Sequence, residues 1–554
     1  MARRSDHRHR GWPVPSWAAA GATLLVAAGA IWLGLARLGT LGTALAGATA
    51  MAAGFGLGLA LIRRLLGGPS GIAGVARAVV DEAVRMRSTL VLLILLVGLV
   101  PVLPLLLDPA ERLAYRVQFL ISWALGATSL ILGFLTIFLA CGSVCGDIDS
   151  GRIHMTLSKP LHRWEYLLGK WLGIVLYDLL LVVVAGGGAY TLVRMLAAGP
   201  AIDAADREAV DRQVLVARRK VAPEPDNPQE YAAAIAAAIA RLEADSPEFF
   251  ATQPAATRRR IESEYRRQWH TVTPDMETTF VFRRLGTQGR ADAEVQLEVE
   301  PRVTNVDVDL ADVRFALWLN GRPWPLANGV QVEETLPSRA RHVFDLPAEP
   351  VAESDELRVR VANRNLVPPG ETRPTAISFA PGDGLRVLVR TGGFEANFIR
   401  CLVLLWGKLA LVAAAGVAAG AMFDLPSAIL ATLVLAAGAL GSEFFRDALG
   451  TYNVVGESAW GRVADRMALA AGSLREQQFY EAFRMLLGFV TDFVLWLLPS
   501  LTSDAAIRRL ATGITIPWPD VLTRLSLLCV AYPFALGAIA WLVFDRRDLV
   551  RSSS

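Results

Sequence analysis

The sequence is poor in several kinds of residue, and each shortage excludes a class of function. Only 19% of the 554 residues are charged, and only six are histidine. The motifs G-x-x-x-x-G-K-[ST], H-E-x-x-H and G-x-S-x-G do not occur in it. The chain therefore lacks the P-loop device for holding ATP phosphates and shows no zinc-protease or serine-hydrolase signature. We predict that it is not an enzyme and holds no cofactor of its own.

Cysteine is also scarce, and its placement excludes a disulfide framework. The four cysteines are Cys141, Cys145, Cys401 and Cys529, and none lies in the polar middle of the chain. Cys141 and Cys145 share a helix face, but no second pair of cysteine or histidine ligands accompanies them. We predict no metal site and interpret both as small apolar residues.

What the chain has in abundance is apolar sequence. Hydrophobic residues make up 53% of it, which indicates an integral membrane protein with a soluble insert. The net charge of +3 does not indicate nucleic-acid binding, since the basic residues sit at the ends of apolar runs. We predict eight spans, at residues 17–36, 41–62, 89–107, 117–141, 171–196, 401–422, 427–440 and 521–544.

One further apolar run does not fit this count. Residues 483–501 carry Arg484 and Asp492, and a full span there would place the basic tail 545–549 outside the cell. We therefore predict a re-entrant or interfacial segment. The alternative is nine spans, with 442–478 in the cytoplasm and 427–440 not crossing.

The N-terminal part is predicted to be a transmembrane hairpin, residues 1–66. A basic start followed by an apolar run also begins a signal peptide, but this run is too long and a second span follows. Residues 71–87 have apolar positions at helical spacing with charges on the other face. They predict a helix along the cytoplasmic interface, or else a generic amphipathic linker.

Residues 197–396 are the soluble insert. Charged helices are expected at 205–221, 228–244 and 256–269, and alternating runs follow that predict a β-sandwich of roughly six to eight strands. The odd number of preceding spans makes this α+β insert extracytoplasmic. Trp318, Trp324 and Phe344 are typical either of a sugar-binding face or of a core, and core packing is favoured.

A polar segment at residues 142–170 separates two spans and excess basic residues place it in the cytoplasm. Asp147, Asp149 and Ser150 are expected to cap the N-terminus of a short helix that Pro160 ends. An ordinary cytoplasmic loop would show the same charges.

The sequence of this segment resembles the cytoplasmic segment of ABC-2 type transporter permeases. The residues that carry the resemblance are G-D-I-D-S-G-R-I-H-M-T-L-S-K-P-L-H-R-W-E-Y-L-L-G-K-W. The resemblance covers about residues 73–190 and 394–550. It implies that the segment lies against an ATPase subunit and transmits its closure to the membrane helices. The residues it marks for docking and coupling are Asp147, Ile148, Gly151, Arg152, Leu157, Pro160, Arg163, Trp164, Gly169 and Lys170.

The resemblance also implies an architecture and partners. A six-helix core is expected in two halves, residues 67–196 and 397–554, after the hairpin. The expected partners are an ABC ATPase that binds ATP and Mg²⁺, a second permease as homodimer or heterodimer, membrane lipid and a periplasmic protein. The expected location is the bacterial inner membrane, with both termini cytoplasmic.

In that class the substrate is lipid-linked, a glycan or drug-like, and it moves outward. The rival interpretation is a membrane scaffold or mechanotransmission subunit, in which the ATPase moves the outer domain without translocation. A membrane enzyme with its site in the outer domain is the weaker third alternative.

Two charged residues fall inside predicted spans, Asp178 and Lys408. Charge in a span is costly, so both are functional candidates. We predict a structural clamp between them; a role in a substrate path or in proton coupling is the alternative.

Overall fold

The computed structural model describes residues 39–152, 162–247, 254–274, 276–287, 294–303, 312–327, 330–347, 351, 355–365, 376–450 and 503–546. These residues form two compact units. The first, or membrane unit, contains the described residues up to Leu215, those of Phe394–Ser442 and those after residue 502. The second, or β unit, is built mainly from Val216–Gly393.

The helices are named in chain order: α1 Gly39–Leu65, α2 Gly71–Ala83, α3 Arg87–Val102, α4 Leu113–Asp149, α5 Arg163–Ala197, α6 Ala204–Ala209, α7 Pro228–Asp245, α8 Pro254–Trp269, α9 Phe394–Met422, α10 Leu425–Gly450, α11 Ser503–Ala511, α12 Trp518–Ser526 and α13 Tyr532–Arg546. A 3-10 turn, Leu103–Leu106, follows α3, and π turns follow α6 and α12.

Six described helical stretches are long and apolar enough to cross a membrane: Gly47–Leu65, Arg87–Leu106, Leu113–Asp149, Arg163–Ala197, Phe394–Met422 and Trp518–Arg546. The protein is thus a helical polytopic membrane protein, and these six stretches coincide with six of the eight predicted spans. The predicted span 427–440 lies in α10, whose apolar part, Leu425–Ala439, is shorter than the usual spanning length. The predicted span 17–36 and the re-entrant segment 483–501 lie outside the described residues.

Helices α4 and α9 pack closely because small residues face each other. A Cβ built on Gly416 of α9 would lie 2.5 Å from the Cβ of Ala140 on α4. A Cβ on Gly420 would lie 3.1 Å from the Cβ of Val144. Small residues allow helix backbones to approach in lipid, where dispersion contacts drive association.

Two tryptophans join α5 to α9. The Trp171 indole donates to the carbonyl oxygen of Ala410 at 2.9 Å, and the Trp406 indole donates to that of Val175 at 3.0 Å. Each helix thus contributes one indole N–H that donates to a carbonyl oxygen on the other helix. The two hydrogen bonds fix the antiparallel register of α5 and α9. They also satisfy two donors that would be costly to leave unpaired in an apolar interior.

The first strand of the β unit lies where the sequence predicted a helix. The helix expected at 205–221 stops early: α6 ends at Ala209, and Val216–Val221 is a strand, β1, paired with the last strand of the unit. Val216 and Ala217 are buried, so tertiary pairing overrides the charged, helix-like composition of VARRKV. The predicted helices at 228–244 and 256–269 are confirmed as α7 and α8.

The remaining strands are β2 Thr271–Val272, β3 Glu277–Arg283, β4 Val295–Val299, β5 Pro301–Val303, β6 Asp312–Leu319, β7 Arg322–Trp324, β8 Leu326–Ala327, β9 Val330–Gln331, β10 Glu334–Pro337, β11 His342–Leu346, β12 Glu356–Asn363, β13 Ile377–Phe379 and β14 Leu385–Gly393. One sheet has the order β1-β14-β4-β11 and another β10-β6-β12-β3, with β7 pairing β6. Smaller sheets are β2-β13-β5 and β8-β9.

The two larger sheets contribute to one hydrophobic cluster. Leu297 and Val387 come from the first sheet, and Phe315 and Val359 from the second. Trp324 and Phe344 pack edge to face beside this cluster, with ring centroids 5.6 Å apart. Shared burial between two sheets is what a β-sandwich requires, and the sandwich itself stays a prediction.

Candidate coupling site

The polar segment predicted at residues 142–170 is shorter in the structure, because the helices on both sides of it extend into this range. Helix α4 continues to Asp149, so Asp147 and Asp149 lie in its last turn. Ser150 is the C-cap, and Gly151 follows with a φ of +66°. The prediction that these residues cap a new helix at its N-terminus is therefore wrong: buried Cys141 and Cys145 hold α4 in the bundle, and the helix ends only past them.

Helix α5 begins at Arg163 with a capping box. The His162 backbone N–H donates to the Glu165 carboxylate at 2.8 Å, which satisfies one of the free amides at the helix start. The first two turns of α5 therefore contain Arg163, Trp164, Gly169 and Lys170. Residues 150–162, called the connecting segment below, join α4 to α5; the marked residues Leu157 and Pro160 lie outside the described residues.

A buried lysine lies at the centre of the site. The Lys170 side chain is 3% exposed, and its Nζ lies 2.7 Å from Asp147 Oδ2 and 3.5 Å from Glu82 Oε2. It also donates to the Ser143 carbonyl at 2.8 Å. The Tyr166 hydroxyl donates to Asp147 Oδ2 at 2.9 Å. These four side chains, Lys170, Asp147, Glu82 and Tyr166, form the Lys170 cluster, which links α2, α4 and α5.

Glu82 is the second carboxylate of the cluster. Burial raises its pKa above the ordinary value of 4.5, and the positive charge of Lys170 acts in the opposite direction. The nearby Asp147 carboxylate adds to the rise. One cation thus serves two carboxylates, and its removal would leave both without the charge that permits their burial.

Arg163 extends the connections to α13. Its Nη1 donates to the backbone carbonyls of Phe544 and Asp545 at 2.6 and 2.9 Å. These carbonyls belong to the last turn of α13, where a cation is favoured by the helix dipole. The Phe544 ring stacks on Tyr166 of the Lys170 cluster, with centroids 6.2 Å apart.

Helix α2 lies directly against the start of α5. A Cβ on Gly169 would be 2.8 Å from the Val75 Cβ, and one on Gly173 only 2.6 Å from the Ala76 carbonyl oxygen. The apolar face of α2 is buried against this surface. The sequence prediction missed Gly173, Glu82 and Tyr166; the signal for Gly173 was present as the G-x-x-x-G spacing with Gly169.

The intramembrane charges are both buried. Asp178 on α5 is 0% exposed, and its Oδ2 lies 3.0 Å from Thr136 Oγ1 on α4. Lys408 on α9 is 8% exposed. The predicted clamp between Asp178 and Lys408 stays a prediction.

The opposite ends of α4 and α5 are joined by two adjacent residues, Asp206 and Arg207, called the cap pair below. Asp206 accepts from the backbone amides of Leu113, Ala114 and Ile202 at 2.8, 3.0 and 3.2 Å. Arg207 donates to the carbonyls of Ala197 and Gly199, where α5 ends. An acid thus caps the start of one helix and a base the end of its neighbour, as helix dipoles favour.

One comparison with known proteins found a match. The family model described as ABC-2 family transporter protein matches residues 75–207. That range runs from α2 through the Lys170 cluster to the cap pair. The resemblance to ABC-2 type permeases is therefore confirmed over these residues, and the match supports a permease of this general class. Searches of curated proteins and of solved structures found no match.

Proposed function

We propose that this chain is the transmembrane subunit of an ABC-2 exporter and that the connecting segment receives the movement of a separate ABC ATPase. The observation that carries the proposal is the Lys170 cluster. It ties together the helices on both sides of the connecting segment, so a push on the segment displaces α4 and α5 as one body. Glu82 carries the displacement to α2, and Arg163 carries it to α13.

The charge distribution supports the orientation in the proposal. Arg63 and Arg64 lie in the last turn of α1, Arg152 lies near the start of the connecting segment, and Arg163 directly follows that segment. By the positive-inside rule, these charges support a cytoplasmic location for this end of the bundle, and the location we propose is a bacterial inner membrane. The β unit, which follows α5, lies on the outer side in this arrangement. ATP and Mg²⁺ are bound by the partner, two permease chains pair with two ATPases, and the substrate is lipid-linked, a glycan or drug-like.

The test is co-purification with the ABC ATPase encoded beside this chain. Arg152 is exposed at the start of the connecting segment, so Arg152→Ala should reduce both the amount of bound ATPase and its activity. Arg546→Ala is the matched control, because Arg546 is an exposed arginine at the end of α13 and outside the segment. Equal ATPase binding by wild type, Arg152→Ala and Arg546→Ala would contradict the assignment of the segment.

A mechanotransmission subunit is the second candidate, and the observation in its favour is the β unit. This unit has its own hydrophobic cluster and antiparallel sheets, which is more structure than a loop between spans needs. The two functions separate in a reconstituted system. ATP-dependent change in protease cleavage of the β unit, with no substrate crossing the bilayer, would favour transmission over export.

A further inference from the structure

The middle of the membrane unit holds an acid that the coupling site does not use. Asp178 lies eight residues beyond Lys170 on α5, which places it about 12 Å further along the helix. It is fully buried. A carboxylate at such a position costs several kcal/mol unless a cation or several donors accompany it. The question is which form of the carboxyl group this site accepts.

Among the described residues, no countercharge pairs with Asp178. The charged groups of the helices packed on α5 lie mostly at helix ends, as Glu82 and Asp147 do in the Lys170 cluster. Lys408 on α9 is the exception. In the described part of the chain, no ion pair joins any of these to Asp178, and its Oδ1 has no hydrogen-bond partner there. The titratable neighbour is Tyr177, whose own buried hydroxyl lacks a hydrogen-bond partner among the described residues.

The hydrogen bonds of Thr136 decide between the two forms. Its Oγ1 lies 2.8 Å from the Leu132 carbonyl oxygen and 3.0 Å from Asp178 Oδ2. A hydroxyl group has one proton to donate, and the Leu132 carbonyl can only accept. If Thr136 donates to Leu132, which is the usual bond of a threonine inside a helix, the second contact needs a proton from Asp178. A protonated Oδ2 supplies it, and both hydrogen bonds are then complete.

We propose that Asp178 is a resident proton site: at neutral pH its carboxyl group is neutral, and its Oδ2–H donates to Thr136 Oγ1. The proton comes from solvent when the bundle assembles, and no other bond is made or broken. The resulting chain, Asp178 to Thr136 to the Leu132 carbonyl, joins α5 to α4 through neutral groups. This link is independent of the ATPase assignment, because it depends only on contacts inside the bundle.

Infrared spectroscopy of the full-length protein in lipid tests the proposal directly. A protonated carboxylic acid has a carbonyl stretch that a carboxylate lacks. The wild type at neutral pH should show this band, ¹³C-labelling of aspartate should shift it, and Asp178→Asn should abolish it. Glu82→Gln is the control, since it removes a part-buried acid elsewhere and should leave the aspartate band in place.

A second variant keeps the test decisive if Asp178→Asn does not fold. Thr136→Val removes the acceptor hydroxyl at nearly constant volume, so the labelled aspartate band should remain but move to higher frequency. Absence of an aspartate acid band in the wild type would overturn the proposal. So would a band that neither Asp178→Asn nor Thr136→Val alters.

Discussion

The two ends of the α4–α5 pair are held together in different ways. At the Lys170 cluster, side chains hold side chains: one buried lysine serves Asp147 and Glu82. At the cap pair, side chains hold backbone: Asp206 and Arg207 bind the amides and carbonyls at the helix ends. Bonds to helix ends fix the position of a terminus, whereas a shared cation links three helices whose ends can move together. We infer that the cap pair anchors the bundle and the Lys170 cluster transmits movement.

The largest effect should come from the shared cation. Lys170→Met keeps the apolar stem but removes the cation from two part-buried carboxylates, Asp147 and Glu82, so it should destabilise the protein by about 3 kcal/mol. Thermal unfolding of the purified protein measures this. The matched control is Arg163→Met, which removes a half-exposed cation on the same helix and should cost clearly less. Equal losses would mean that the Lys170 cluster has no special weight.

Removing the anchor should have the next largest effect. Asp206→Ala leaves three backbone amides without their acceptor and should cost about 2 kcal/mol. Asp206→Asn keeps one acceptor oxygen for the Leu113 and Ile202 amides but loses the acceptor of the Ala114 amide, so it should cost about 1 kcal/mol, less than the alanine variant. An asparagine variant as unstable as the alanine variant would show that charge, and not capping, is what Asp206 supplies.

The same residue gives the anchor a pH dependence. Burial alone would raise the pKa of Asp206, but hydrogen bonds from the Ala114, Leu113 and Ile202 amides outweigh it and hold the pKa below the ordinary 3.8. A lowered pKa contributes stability that is complete above 3.8 and is lost as the pH falls through the folded-state value. Unfolding midpoints of wild type and Asp206→Asn should therefore converge at acidic pH, and a constant gap would contradict the ionised cap.

Overpacking the contact between α2 and α5 should destabilise the protein less than the changes above. Gly173→Val places a side chain against the Ala76 carbonyl and should cost about 1–3 kcal/mol through overpacking. Gly187→Val is the matched control on the same helix, because a Cβ there meets nothing within 4 Å. Comparable unfolding temperatures for the two variants would show that α2 is not seated on Gly173.

The smallest loss of stability is expected from removing an indole hydrogen bond between α5 and α9. Trp406→Phe removes one indole hydrogen bond to Val175 and should cost about 0.5–1.5 kcal/mol. Trp171→Phe should cost a similar amount by losing the bond to Ala410. Unfolding of the double variant measures their coupling, and a loss well below the sum would indicate that the two indoles act as one clamp.

The sequence predicted the elements of this fold better than their ends. Six predicted spans coincide with described helices that are long and apolar enough to cross a membrane, because long apolar runs leave few alternatives. The strands of the β unit were correct in kind because alternation is a strong signal. The prediction at the end of α4 was wrong because Asp149 and Ser150 are residue types that occur at the start of a helix as well as at its end. Only the buried contacts around Cys145 decide between them.

The contacts of the candidate site could not be predicted from the sequence either. Asp147 and Lys170 were each marked by the resemblance, but 23 positions separate them and nothing in the order of residues predicted their contact at 2.7 Å. Glu82 lies on a helix that could equally have been a linker, so its place beside Lys170 required the packing of α2 on α5. The cap pair was missed for the same reason, since Asp206 acts on amides more than ninety positions earlier.

The most direct test of the central claim is a distance measured in the assembled complex with its ATPase. Spin labels at Ser150 and Arg546, the exposed ends of α4 and α13, would report movement of these two helices. With Cys529 replaced by alanine, a non-hydrolysable ATP analogue should change this distance in the wild type and in Asp206→Asn, but not in Lys170→Met. A Lys170→Met complex that binds the ATPase and shows the full wild-type change would contradict the account.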